Sequence, residues 1–554
     1  MLSDTEIAQQ AQPKPIDLIA DQLGINKDDL LPYGRKMAKI HINALQRPSS
    51  KQGHLILVSA TTPTAAGEGK TTTTIGLGQA FAKLGKSVCL ALREPSLGPC
   101  LGMKGGATGG GYSQILPADR INLHFTGDFH AITSANNLLS AVIDNHIYQN
   151  NELNIDLRRV LWRRVIDMND RSLRHIVLGL GGKLQGIPRE GGFDITAASE
   201  VMAMLCLASS LDDFCRRLEN TLVAFTYNGE PVFAKQLQVT GAMLALLRDA
   251  IHPNLVQSLE GVPTLVHGGP FANIAHGCNS LLATRMALHH ADWTITEAGF
   301  GFDLGAEKFF DIKCRLGSLD PQAVVLVTTT RALKLHGGKS KDKLGDKDLA
   351  ALGKGLENLD KHIESVRKFN KQPVVALNRF AGDNSAELEL IKARCQELNT
   401  PFAICDHYAS GGAGAIELAQ QVMQVANQSQ PFRPLYPLDL PIEEKIRIIC
   451  REMYGADDVA FTKQAAKDLR QVQKLGFEQL PVCIAKAPGS LSDDPNLLGR
   501  PHHFDITVRG IQINSGAGFL VVLTGDIMRM PGLPKHPSAE LWQLQKDGSI
   551  YGLS

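Results

Sequence analysis

The chain has 554 residues, 44% of them hydrophobic and 20% charged, which is ordinary globular composition and enough length for two to four domains. A net charge of +1 excludes a bulk electrostatic case for binding nucleic acid or a membrane surface. No apolar run approaches membrane length, the N-terminus has no basic-then-apolar leader pattern, and the ten cysteines are scattered without a Cys-x-x-Cys pair, so a cytoplasmic protein in a reducing compartment is expected.

In chain order, helical spacing over 16–23 ends at Gly24. The apolar run Leu55-Ile56-Leu57-Val58 then reads as a buried parallel strand. It leads into Thr64-Ala65-Ala66-Gly67-Glu68-Gly69-Lys70-Thr71 and a helical pattern over 72–84. Strand, Gly-rich turn, Lys-Thr and helix form the context of a phosphate-binding loop. In such a loop the backbone N–H groups and the helix N-terminus attract phosphate oxygens. Lys70 is placed to reach the terminal phosphates, and the Thr71 hydroxyl to help hold Mg²⁺. Thr64 stands where the usual spacing has glycine, and a tight turn with an exposed lysine is the other reading of these residues.

A second strand over 87–92 completes a βαβ unit and delivers Arg93 to its C-terminal end, the edge where open α/β sheets bind ligands. Arg93 is a candidate bidentate anion clamp, or else an ion-pair partner of Glu94. The stretch 104–112 is too rich in glycine for a regular element and reads as a loop over a ligand or a linker. Asp128, within His124-Phe125-Thr126-Gly127-Asp128-Phe129-His130, is a candidate for a metal, a ligand amine or phosphate-bound Mg²⁺, with a helix cap before 131–143 as the alternative.

Apolar runs at 176–178, 264–266, 293–296 and 323–327 suggest further parallel strands, with helices at 197–209 and 279–290 between them. The loops His267–274 and Glu297–305 each follow a strand, and this topology brings both to one crevice. They offer Asn273 and Glu297 as polar contacts and Phe300 as a stacking surface, although a lone phenylalanine also suits a core. An exposed charged loop is expected at 339–348, followed by helix 355–369, strand 373–378, helix 385–398 and strand 402–404. His407-Tyr408 offers a second aromatic face. A linker at 427–437 precedes helix 442–454 and strands over 482–486, 505–513 and 519–524.

Several of these stretches resemble one family closely. The phosphate loop, 93–99, 121–128, 297–309, 331–338, 490–501 and 528–535 are similar to formate–tetrahydrofolate ligase, also called formyltetrahydrofolate synthetase, and the resemblance runs from about residue 15 to the C-terminus. It implies that ATP phosphorylates formate and that the N10 amine of tetrahydrofolate attacks the formyl phosphate, giving 10-formyltetrahydrofolate, ADP and phosphate. It implies catalytic roles for Lys70 and Arg93, nucleotide binding by residues 64–71, and substrate binding by Arg93, Glu94, Asp128, Phe300, Phe380 and Tyr408. Phe380 and the aromatic at 408 would sandwich the pterin, and Asp128 would face the folate side. The family uses Mg²⁺ with ATP, is activated by K⁺ or NH₄⁺, and is a homotetramer. No nucleic-acid or membrane partner is implied.

The resulting fold expectation is α/β: a P-loop NTPase-like, doubly wound, mainly parallel sheet domain with two smaller α/β domains. Residues 1–360 form the nucleotide-binding domain, 361–440 a second domain contributing to the folate site, and 441–554 a C-terminal domain. The chain departs from the family on the presumed folate side. Tyr408 replaces a usual tryptophan, and Ser410, Ala413, Gly489, Phe302, Arg120 and Arg529 also differ from the common residues. A smaller aromatic stacks less, so weaker tetrahydrofolate binding is expected. Two other functions fit the phosphate loop: a diverged enzyme acting on another acceptor, and a nucleotide-switched partner-binding protein. The first would need no tetrahydrofolate, and the second no formate. None of His124, His130 and His267 stands out as a general base.

Overall fold

The computed structural model describes residues 2–49, 51, 53–64, 67–102, 107–525 and 527–552. Its centre is a large, mainly parallel sheet. In chain order the main strands are β1 (Leu30–Pro32), β2 (Ala38–Ile40), β3 (His54–Ala60), β4 (Val88–Leu92), β5 (Asn254–Ser258), β6 (Pro263–Val266), β7 (Trp293–Glu297), β8 (Pro321–Thr328), β9 (Pro373–Asn378) and β10 (Phe402–Cys405). Their spatial order is β1-β2-β5-β6-β4-β7-β3-β8-β9-β10. From β6 to β10 every pairing is parallel, whereas β1, β2 and β5 add an antiparallel edge.

The parallel strands are apolar along nearly their whole length because helices and further strands cover both faces. In β3 the period-two alternation separates two cores. Leu55 and Leu57 join one with Leu326, Val375 and Leu359, while Ile56 and Val58 join the other with Ile75, Phe81 and Leu418. Each such fully buried side chain contributes about 1.5–3 kcal/mol.

Helix α1 (Lys70–Lys83) connects β3 to β4 and crosses over β7, which lies between them. The C-terminal ends of β3, β7 and β4 therefore sit side by side. Residues 361–440, expected as a second α/β unit, contribute β9 and β10 to this same sheet.

The remaining residues cover the sheet. The three-stranded sheet of 155–160, 222–226 and 231–233 packs with helix α2 (Asp128–Tyr148) in a separate core. The C-terminal strands Val482–Ala485, Gly510–Asn514 and Phe519–Leu523 form a small sheet whose residues divide between that core and the one containing Leu55.

Three local expectations are corrected. Ile176–Leu178 pairs antiparallel with Arg189–Gly191 outside the main sheet, and its half-exposed pattern explains why it is not a central strand. The stretch 505–513 is two strands that break at Arg509. The helix expected over 131–143 starts earlier and ends later, as α2. Among the described residues no helix is long and apolar enough to cross a membrane.

Candidate active site

The crevice is built from the strand ends of β3, β7 and β4. After β3 the chain turns through Thr61–Thr64, and Gly67 and Gly69 both take positive φ, 77° and 75°, before α1 begins at Lys70. Ala65 and Ala66, expected in the phosphate loop, lie outside the described residues, as do Lys104, Gly105 and Gly106 of the glycine-rich stretch.

Glu68 is buried, and its carboxylate turns inward, accepting from the Thr64 N–H at 2.7 Å and the Thr329 hydroxyl at 2.8 Å. That orientation keeps a negative charge off the loop's outer face, where N–H groups would meet an anion. Asn378, at the end of β9, donates to the Glu68 carbonyl at 3.1 Å.

Beneath the loop, the Thr62 hydroxyl meets His362 Nε2 at 3.0 Å, and the Thr62 carbonyl accepts from His336 Nε2 at 2.8 Å. The Gly499 N–H donates to His336 Nδ1 at 3.2 Å, which fixes His336 as the neutral Nε2–H tautomer. Burial lowers the pKa of both histidines, that of His362 to about 4. The loop therefore rests on a polar lattice drawn from four distant segments.

Glu297, at the end of β7, joins the two candidate anion-binding elements. The Thr71 hydroxyl donates to its Oε2 at 2.8 Å, and Arg93 Nε lies 3.8 Å from its Oε1, an ion pair too long for a hydrogen bond. Among the described residues Arg93 Nε makes no hydrogen bond, although it is buried. The Arg93 guanidinium lies against Gly299, where an added Cβ would sit 3.0 Å from Nη1 and 2.7 Å from the Ala272 Cβ. Glycine at 299 is thus the space in which Arg93 lies.

Phe300 follows with φ 59°, half-buried, before two π-helical stretches, Phe302–Ala306 and Phe309–Cys314. Lys308 and Lys313 in this segment fix the loop after β6. Lys308 Nζ donates to the Ala272 carbonyl at 2.6 Å and Lys313 Nζ to Asn279 Oδ1 at 2.8 Å. Asn279 Oδ1 also accepts from the Thr296 hydroxyl at 2.9 Å.

Behind Arg93 lies a buried carboxylate group. Glu94 is 4% exposed with Oε2 unpartnered, and burial, reinforced by the charge of Asp128, pushes its pKa well up. Asp128 is also buried. Lys39 Nζ contacts its two oxygens at 2.7 and 3.0 Å, and Asn254 Nδ2 donates to Oδ2 at 2.7 Å. The structure brings Asp128 to Glu94 and Lys39, one layer behind the crevice surface.

His267 is buried and held by Ser280 Oγ at 2.6 Å and the Ala250 carbonyl at 2.7 Å, with its pKa lowered to about 4 by burial. Both ring nitrogens are engaged in structure. His124 and His130 are exposed. Among the described residues, Asn273 Oδ1 is buried without a hydrogen-bond partner.

The aromatic pair is set by strand register. Asn378 of β9 pairs with Cys405 of β10, so Phe380 and Tyr408 follow neighbouring strand ends. The Arg331 guanidinium stacks on the Phe380 ring at 4.4 Å, and the Phe380 N–H donates to Asp383 Oδ2 at 2.8 Å. Tyr408 is 39% exposed, leaving ring surface open to a flat heterocycle. Its neighbour His407 is buried, and Nε2 lies 3.2 Å from the Thr73 hydroxyl of α1. The aromatic side is thereby joined to the helix that starts at Lys70.

Sequence reasoning missed Asn378, Thr329, Thr62, His362, His336 and Gly499. Each acts through a partner more than 130 residues away, as the separations of 310, 261, 300, 274 and 163 residues show. Gly299 lay within a glycine-rich stretch that was itself a signal. In a comparison with protein families, a model described as formate–tetrahydrofolate ligase matches residues 2–554.

Proposed function

The chain belongs to the formate–tetrahydrofolate ligase family of ATP-dependent ligases, whose substrates include ATP and tetrahydrofolate, and on that premise we propose that it joins formate to tetrahydrofolate through formyl phosphate. A formate oxygen attacks the γ-phosphorus and ADP leaves. The N10 amine then attacks the formyl carbon, phosphate leaves, and the amine loses its proton. The products are 10-formyltetrahydrofolate, ADP and phosphate.

The observation that carries this reading is the Glu297 carboxylate, which ties Thr71 at 2.8 Å and Arg93 at 3.8 Å. An arginine beside a phosphate-binding helix start suits the first step, in which two anions must meet against their repulsion. Lys70, the backbone N–H groups of 64–71 and the N-terminus of α1 would stabilise charge on the transferring phosphoryl group. Strand, glycine turn and helix together support a P-loop NTPase-like reading of residues 1–360, whose sheet is extended by two strands from 361–440, with 441–554 as a smaller domain. Arg93 would hold formate and then the acyl phosphate, with Glu94 fixing the strand end behind it. Phe380 and Tyr408 would sandwich the pterin, Phe300 would lie at the crevice, and Asp128, paired with Lys39, would act from the layer behind the crevice surface.

The Thr71 hydroxyl and Glu297 are hard oxygen donors that fit Mg²⁺, which when bound would neutralise phosphate charge. A monovalent cation such as K⁺ or NH₄⁺ would be the expected activator. The cytoplasmic reading is supported by ten free cysteines. A homotetramer is the expected assembly.

The test is product formation with ATP, Mg²⁺, formate and tetrahydrofolate in K⁺ buffer, followed after acid quench as the 5,10-methenyl derivative. Product that requires all three substrates establishes the reading. Formate-dependent ADP release without tetrahydrofolate dependence would instead indicate another acceptor, and ADP release independent of formate a nucleotide switch.

A further inference from the structure

Tyr408 is held by a residue from the opposite end of the chain. Its hydroxyl donates to Asp4 Oδ1 at 2.8 Å, across a separation of 404 residues. The same oxygen accepts from the Gly111 N–H at 2.8 Å. The Tyr408 carbonyl accepts from the Tyr112 N–H at 2.8 Å, and a Cβ added at Gly110 would lie 3.0 Å from the ring's Cε2. Ring edge, backbone and hydroxyl are therefore fixed by two elements outside the turn that carries Tyr408: the helix Asp4–Gln10 and the glycine stretch 109–112.

The N-terminal helix lies across this region as a strap. It buries Ile7, and Gln114 Nε2 donates to the Asp4 carbonyl at 3.0 Å. A Ser3–Glu6 capping box fixes its start. Beyond Asp4 the helix is backed by a cavity of about 210 Å³, lined by Thr5, Ala8, Lys36, Leu116 and Asp119, rather than by packed core. The Asp4 carboxylate is thus a principal link between this strap and the aromatic.

We propose that Asp4 is a positioning residue for the folate site: it orients the Tyr408 ring through its hydroxyl and draws the glycine stretch against it. The inference rests on the reading of Tyr408 as a wall of the pterin site. A phenol donating to a carboxylate makes a charge-assisted hydrogen bond, stronger than a neutral one and sensitive to ring orientation. Burial, aided by Asp4, pushes the Tyr408 pKa up to about 12, so the donor keeps its proton through the neutral range. A stacking wall works only when its plane is set before the ligand arrives. Tryptophan, the residue that the family resemblance leads one to expect here, carries no hydroxyl. In this chain the smaller ring comes with an anchor of its own.

The experiment is steady-state kinetics on Asp4→Ala, Asp4→Asn, Tyr408→Phe, the Asp4→Ala/Tyr408→Phe double variant and Tyr408→Ala, each folded by circular dichroism. Asp4→Ala and Tyr408→Phe are expected to raise the tetrahydrofolate KM about 3–10-fold, the loss of one charge-assisted hydrogen bond. The KM values for ATP and formate, and kcat, should stay within about twofold in both. The double variant should be no worse than the poorer single, because both remove one interaction. Asp4→Asn, which keeps an acceptor, should restore most of the loss. Effects that multiply in the double variant, or KM values for all three substrates rising together, overturn the proposal. If Tyr408→Ala raises the tetrahydrofolate KM while Asp4→Ala and Tyr408→Phe do not, Asp4 is no positioning residue and the pterin-site reading stands. If Tyr408→Ala leaves that KM unchanged, both fall.

Discussion

The two sides of the crevice are held by different means. On the phosphate side the ends of β3, β7 and β4 meet, and the side chains there pair within a few ångströms with one another and with the ends of β8 and β9: Thr71 and Arg93 on Glu297, Glu68 on Thr329, and Asn378 on the Glu68 carbonyl. On the aromatic side, Phe380 and Tyr408 stand on neighbouring strand ends but are oriented by other segments, Arg331 on one ring and Asp4 on the other. A site for small, highly charged groups needs rigid, pre-paid electrostatics. A site for a large flat heterocycle needs oriented surfaces, which remote elements can supply. Variants on the first side should therefore abolish turnover, and those on the second should weaken one substrate.

The largest effects are expected at Lys70 and Arg93. On the proposed reading, replacing either with alanine removes a charge that would act on the reacting phosphoryl or acyl group, and it should lower kcat/KM about 10³-fold or more. Thermal melting should change little. Turnover within tenfold of the parent in Arg93→Ala would break the comparison at its base, because Glu297 would then hold an arginine with no task.

Gly299→Ala probes the same side without removing a charge. The new methyl would lie 3.0 Å from Arg93 Nη1 and 2.7 Å from the Ala272 Cβ. Overpacking of that kind costs about 1–3 kcal/mol, and a shifted catalytic group loses about 10–100-fold in rate. The loss should fall mainly on formate, read as kcat/KM for formate against that for tetrahydrofolate.

Phe380→Ala tests the other side. Losing the ring under the Arg331 guanidinium should raise the tetrahydrofolate KM about 3–10-fold, the worth of one aromatic stacking contact. The ATP KM should not move. Equal rises for ATP and tetrahydrofolate would mean that the two sides are one mechanical unit.

The same contrast explains what could be read from the sequence. The βαβ unit around Lys70, the strands at 264–266, 293–296, 323–327, 373–378 and 402–404, and Arg93 at its strand end were legible, since each signal is contiguous or lies at a fixed offset from an apolar run. β5 was missed because Asn254 and Gln257 interrupt its apolar run; they are buried there to serve Asp128 and the backbone of Lys14. The π-helical segment 302–314 carries buried Asp303, Glu307, Lys308 and Lys313, a pattern no amphipathic period predicts. Tyr408 could be seen as a smaller ring than usual, but Asp4 could not be seen as its partner across 404 residues. The expectation of weaker tetrahydrofolate binding rested on departures gathered on the folate side and on the smaller ring at 408, and the hydroxyl anchor works against the second of these.

The smallest effect on turnover at neutral pH is expected at the joint between the two sides, His407. Its ring is buried against Thr73 of α1, and burial lowers its pKa to about 4. An unfolded histidine titrates near 6.5, so between about pH 6.5 and pH 4 the unfolded chain binds a proton that the folded chain does not. Stability from this residue is full above that window and falls as pH drops through it, by about 1.4 kcal/mol per pH unit and about 3 kcal/mol in all. His252, His267 and His362 are lowered to about 4 in the same way, so the parent's acid sensitivity is the sum of several protons. His407→Gln keeps a polar group for Thr73 and cannot titrate, and it should reduce the slope of unfolding free energy against pH by one proton's worth between about pH 4.5 and pH 6. Urea unfolding at four pH values measures that slope. An unchanged slope would mean that the imidazole is already protonated in the folded chain, and that the two sides are joined by something other than a neutral histidine.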